Sequence, residues 1–154
     1  MKFKKSVINS MAIVFLVLIS VATSFAMPGM EMANESSKAT IMLESDIKEG
    51  VKAIAHLKDI KETMAKHGSS QTHHFMIKFE ADGKNQIFDS GLAAVKIIDP
   101  EGNKLSPMKM MAMNGSFGVD IEISNSGKYQ FEVGTKLSDG KKRTFLFHYN
   151  NPNV

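Results

Sequence analysis

Residues 115–149, GSFGVDIEISNSGKYQFEVGTKLSDGKKRTFLFHY, decide the fold. Phe117, Val119, Ile121 and Ile123 alternate with Gly118, Asp120, Glu122 and Ser124. Successive side chains of a strand point to opposite faces, so this pattern gives one apolar face and one wet face. Asn125-Ser126-Gly127 interrupts it, and Tyr129, Phe131 and Val133 resume it. Ser138-Asp139-Gly140 then turns the chain into a last strand carrying Phe145, Phe147 and Tyr149. Short period-2 runs separated by Gly, Asp and Asn predict antiparallel sheets packed face to face.

The same reading extends toward the N-terminus. Leu92 to Ile98 places Ala93, Val95 and Ile97 on one face before Asp99-Pro100-Glu101-Gly102-Asn103 ends the run. Thr72 to Glu80 sets Phe75, Ile77 and Phe79 against His74, Met76 and Lys78, and Ala81 to Lys84 is a turn. Residues 46–67 carry two readings. Ile47, Val51, Ile54, Leu57, Ile60 and Met64 fit one stripe of a long helix. Gly50 and the β-branched residues beside it weaken that helix at its start. The favoured alternative is a hairpin, with Val51 to Leu57 as its second strand, followed by a short helix at Asp59 to Lys66 that Gly68 ends. Thr40 to Leu43 reads as a further short strand.

The first 26 residues read as an address. Lys2, Lys4 and Lys5 precede an apolar run from Met11 to Ala22, and Ser24-Phe25-Ala26 offers small residues at the cleavage positions. This is the secretory pattern, on a run too short for a comfortable membrane span. Cleavage after Ala26 places the protein in the periplasm or outside the cell, with no membrane insertion afterwards. Residues 27–38, MPGMEMANESSK, have no hydrophobic period and read as a flexible, Met-containing tail. Residues 39–154 read as one domain.

Charge and composition narrow the function. The 154 residues carry a formal charge of +3, which Lys2, Lys4 and Lys5 supply, so the remainder is neutral. A nucleic-acid footprint or a basic membrane patch loses its usual warrant. With Cys absent there is no disulfide, thiolate metal site or thiol nucleophile. No Gly-x-Ser-x-Gly elbow, phosphate loop, dinucleotide fingerprint or His-Glu-x-x-His motif is present, and the reading is that of a protein that is not an enzyme.

Residues 91–149 contain four pieces that resemble small exported immunoglobulin-like domains of the YtkA-like and FixH-like kind. These are Val95 to Gly102, the Met-bearing Met108 to Met113, Gly115 to Gly118, and Gly127-Lys128-Tyr129. The resemblance spans roughly Thr72 to Tyr149 and implies a mainly β, immunoglobulin-like antiparallel β-sandwich of six to eight strands with one short helix. Some members of that group are associated with copper handling or respiratory-oxidase assembly, which implies a copper ion and a periplasmic partner protein here. The segment before Thr72 has no counterpart in it.

The chemistry-bearing residues are Met and His. Thioether sulfur is a soft, neutral ligand suited to Cu(I), and imidazole suits Cu(II), Zn(II) and Cu(I) alike. An exported protein without Cys has these two as its soft donors. The expected metal ligands are His73, His74 and Met76 at the start of one strand, Met108, Met110, Met111 and Met113 after Pro107, and His148 in the last strand. His74 and Met76 share a face, as do Met108 and Met110. Met111 and Met113 fall in phase with Phe117 and Val119, which assigns them to the core and leaves Met108 and Met110 partly exposed. His148 is expected to point away from the core. Two functions follow: an exported Cu(I) or heavy-metal carrier, or an immunoglobulin-like protein-interaction module without metal.

Overall fold

The computed structural model describes residues 40–152. The expected signal peptide and Met-containing tail lie outside them. Within them, two antiparallel sheets form a β-sandwich. The strands are β1 (Thr40–Met42), β2 (Asp46–Lys48), β3 (Val51–Asp59), β4 (His73–Ala81), β5 (Gly91–Ile98), β6 (Met108–Lys109), β7 (Met111–Met113), β8 (Ser116–Ile121), β9 (Gly127–Leu137) and β10 (Lys142–Asn151). One sheet runs β1-β3-β4-β8-β7 with β2 also paired to β3, and the other runs β10-β9-β5-β6. Six strands have six residues or more, and the four extra segments are pieces of two or three.

Residues 46–67 form the hairpin and short helix, not the long helix. Glu49 and Gly50 both take positive φ and join Lys48 to Val51 as a two-residue turn. The helix α1 spans Lys61–Ala65. Asp59 Oδ1 accepts a hydrogen bond from the Lys61 amide at its start, and the Gly68 and Ser69 amides close its end on Ala65 and Met64 carbonyls.

The alternating apolar residues meet between the sheets. Phe75, Phe79, Phe117, Phe131, Phe145 and Phe147 are fully buried. Phe75 stacks on Phe131 at 5.1 Å between ring centroids, so one ring from each sheet fixes their spacing. Arg143, also buried, ends its inward path on the Asp139 carboxylate, with Nη2 to Oδ2 at 2.6 Å.

The Met-rich segment departs from expectation. It crosses from one sheet to the other: Met108 pairs with Val95, whereas Met111 pairs with Gly118. Met110 sits at the crossing, 2% exposed, with its amide donating to the Ala93 carbonyl. Met108 packs against the core. Met111 and Met113, assigned above to the core, are 68% and 42% exposed. The reason is the turn at Asn114 and Gly115, both at positive φ. A two-residue hairpin turn pairs residue i with i+3, so Met113 faces Ser116 and Met111 faces Gly118. Odd positions before the turn therefore share a face with even positions after it, and the phase carried back from Phe117 lands on Ala112.

Candidate functional site

The outer face of the larger sheet carries a row of soft donors across five strands. Register places Met42 opposite His56, His56 opposite Met76, Met76 opposite Gly118, and Gly118 opposite Met111. Directly opposed side chains on neighbouring strands start about 5 Å apart. The row therefore reads Met, His, Met, Gly, Met, each residue within side-chain reach of the next.

His74 lies one step along β4, two residues from Met76, and leans into this row. Its Nδ1 is 2.5 Å from Asp120 Oδ1 on β8. An ionised carboxylate only accepts, so Nδ1 carries a proton, and in the neutral ring Nε2 is the nitrogen left with a lone pair. The ring reaches over Gly118: a Cβ placed on Gly118 would stand 2.7 Å from His74 Nε2 and 3.5 Å from Met76 Cγ. Gly118 has Met76 opposite it on one neighbouring strand and Met111 on the other, so His74 Nε2 stands over the strand position that lies between the two methionines. A ligating imidazole oriented by a carboxylate on its other nitrogen is the usual second-sphere arrangement of protein metal sites.

His56 adds a second imidazole from β3. It is half-buried, and burial lowers its pKa, with the neighbouring His74 lowering it further. The ring is thereby held toward the neutral, ligating form. Lys58 stands opposite His74 on the β3 side and borders the site with positive charge. Met111 and Met42, 68% and 62% exposed, leave the row open to solvent. Among the described residues, no three His, Cys, Asp or Glu side chains are grouped to hold a metal ion. Any site here depends on sulfur, which disfavours hard cations and suits Cu(I).

Of the eight expected ligands, the fold gathers His74, Met76 and Met111, with Met113 on the same face beside Ser116. It separates the others. His73 is in phase with Phe75 and turns toward the end of the sandwich, with Nδ1 2.8 Å from Thr72 Oγ1 and its ring 6.1 Å from that of Tyr149. Burial lowers its pKa, Asp59 opposing and Lys61 reinforcing the shift. Met108 and Met110 point inward. His148 is exposed as expected, but on β10, in the other sheet. His56 and Met42 were not among the expected ligands. The signal for His56 was present: in VKAIAHL it alternates with Val51, Ala53, Ala55 and Leu57, the buried positions of β3.

No family model matches the chain, and no curated protein sequence does. Two solved structures are similar to it. One is a DUF4426 family protein from Pseudomonas aeruginosa PAO1, with a TM-score of 0.50 and 14% identity, covering 73% of this chain and 97% of the other. The second is the PmoD soluble domain from a Methylocystis species, with a TM-score of 0.42 and 12% identity, covering 72% and 97%. At 14% identity the first likeness speaks for the small β-fold alone. Among the described residues, no helix is long and apolar enough to cross a membrane.

Proposed function

We propose that the protein is an exported carrier of a soft metal ion, Cu(I) before others, held on the outer face of the larger sheet. The ligands are His74 Nε2, Met76 Sδ and Met111 Sδ, with His56 completing the set and Met42 at the rim. What supports this reading is His74 Nε2 standing over Gly118, whose strand neighbours are Met76 and Met111, while Asp120 bonds the other ring nitrogen. The resemblance to YtkA-like and FixH-like domains and the secretory pattern of residues 1–26 support it. An open, neutral site with few hard donors fits carriage and delivery better than catalysis, and without Cys it lacks the thiolate of a blue-copper centre.

Titration with Cu(I) against a competing chelator tests it. The triple variant His74→Ala, Met76→Ala, Met111→Ala is expected to lose at least a hundredfold in affinity. Unchanged affinity in that variant removes the site. A second reading, a metal-free interaction module, draws on the exposure of Met42, Met111 and Met113. Absence of copper from protein isolated from the exported fraction, together with a co-purifying partner, favours it.

A further inference from the structure

The opposite outer face has a different character. Along the smaller sheet, outward positions include Lys96, Lys109, Lys128, Lys136 and Lys142, with Glu132 as the carboxylate among them. Lys96 Nζ is bonded to that Glu132 at 2.7 Å, which leaves the other four lysines in excess. The chain outside its first five residues is neutral overall, so this is charge segregated onto one face by the fold.

The face is also grooved. Register aligns Thr144, Gly134, Ala94 and Lys109 in one row across β10, β9, β5 and β6. Three of these are small, and a Cβ on Gly134 would meet nothing within 4 Å. The result is a hollow of about 750 Å³ above the row. Leu92, Lys109, Lys136 and Lys142 line it around that floor. Leu92 is 59% exposed. Three strand spacings make the groove about 14 Å long, enough for about four extended residues.

We propose that this groove docks a segment of a partner protein with acidic residues flanking an aliphatic side chain. The carboxylates face Lys136, Lys142 and Lys109, and the aliphatic group settles on Gly134 and Ala94 beside Leu92. Charge complementarity selects the acidic partner. The recessed floor selects a narrow chain over a membrane plane, and among the described residues no large aromatic side chain is exposed to anchor in a bilayer or stack on bases. The inference is independent of the proposed metal site, which lies on the other sheet.

The test is an amide-shift NMR titration of the protein with the acetylated peptide Glu-Glu-Leu-Glu-Glu. The expected shifts centre on Gly134, Ala94 and Thr144, and the affinity falls at least fivefold between 50 and 300 mM salt. Lys136→Glu with Lys142→Glu is expected to weaken binding at least tenfold. Gly134→Phe fills the floor without altering charge and is expected to do the same, while both variants keep wild-type Cu(I) affinity. Absence of saturable shifts at millimolar peptide, shifts confined to the larger sheet, or binding to phosphatidylglycerol vesicles in place of the peptide would overturn the proposal.

Discussion

Gly118 lies beneath the imidazole of His74, with the position of an added Cβ only 2.7 Å from Nε2. The glycine is thus what lets a side chain from β4 lie across β8 toward Met111. Its φ is not in the left-handed region, so the reason for glycine here is room, not backbone conformation. Gly118→Ala must displace the ring. Because the displaced atoms are the end of a side chain, the fold is expected to survive with a near-unchanged melting temperature. Cu(I) affinity is expected to drop about tenfold or more, read by chelator competition beside a thermal melt.

Asp120 tests the orientation of the same ring. Asp120→Asn keeps the shape but offers an amide that does not require the proton on Nδ1. Loss of an orienting partner typically costs about 10–100-fold in metal affinity. The same titration is expected to show a drop in that range, while His73→Ala and His148→Ala, which lie elsewhere, leave affinity unchanged.

Met110 and Met111 are adjacent in sequence and opposite in role. Met110→Ala removes a 2%-exposed side chain from the core, and such truncations cost about 2–4 kcal/mol. Met111→Ala, at a 68%-exposed position, is expected to leave stability within about 0.5 kcal/mol and to weaken Cu(I) binding. Denaturant unfolding of both variants, paired with metal titration, separates the two roles.

The buried Arg143 predicts acid sensitivity. Its hydrogen bonds hold the Asp139 carboxyl below the usual carboxylate range. A carboxylate with a depressed folded-state pKa contributes stability above its unfolded value and loses it as pH falls through the lower folded value. Asp139→Asn is expected to cost about 1–2 kcal/mol at pH 7 and to flatten the fall in melting temperature below pH 4.

His73 gives a separate pH window. Burial lowers its pKa from 6.5, so the unfolded chain takes up a proton first as pH falls. Stability from this residue is complete above about 6.5 and declines below it until the folded-state pKa is passed. Thermal melts from pH 7.5 to 5 are expected to show that decline, and His73→Gln to reduce it.

The sandwich was legible because burial writes itself into period-2 alternation. Phe75, Ile77 and Phe79, or Phe145 and Phe147, declare an inner face whatever their partners are. The hairpin at residues 46–53 was legible in Gly50, which opposes a helix there and supplies the positive φ of the turn. Of the candidate site, the shared face of His74 and Met76 was legible, since two residues apart on one strand always share a face.

What sequence could not carry was phase across turns and identity across strands. The Asn114-Gly115 turn reversed which methionines are outside, and the crossing at Met110 split one run between two sheets. His56 joined Met76 only through the β3–β4 register, and Gly118 became the centre of the candidate site only when His74 reached over it. Alternation is a local consequence of strand geometry, so residue order alone determined the layers and their core. Which donors meet depends on pairings between segments up to about fifty residues apart, and those were decided by tertiary packing.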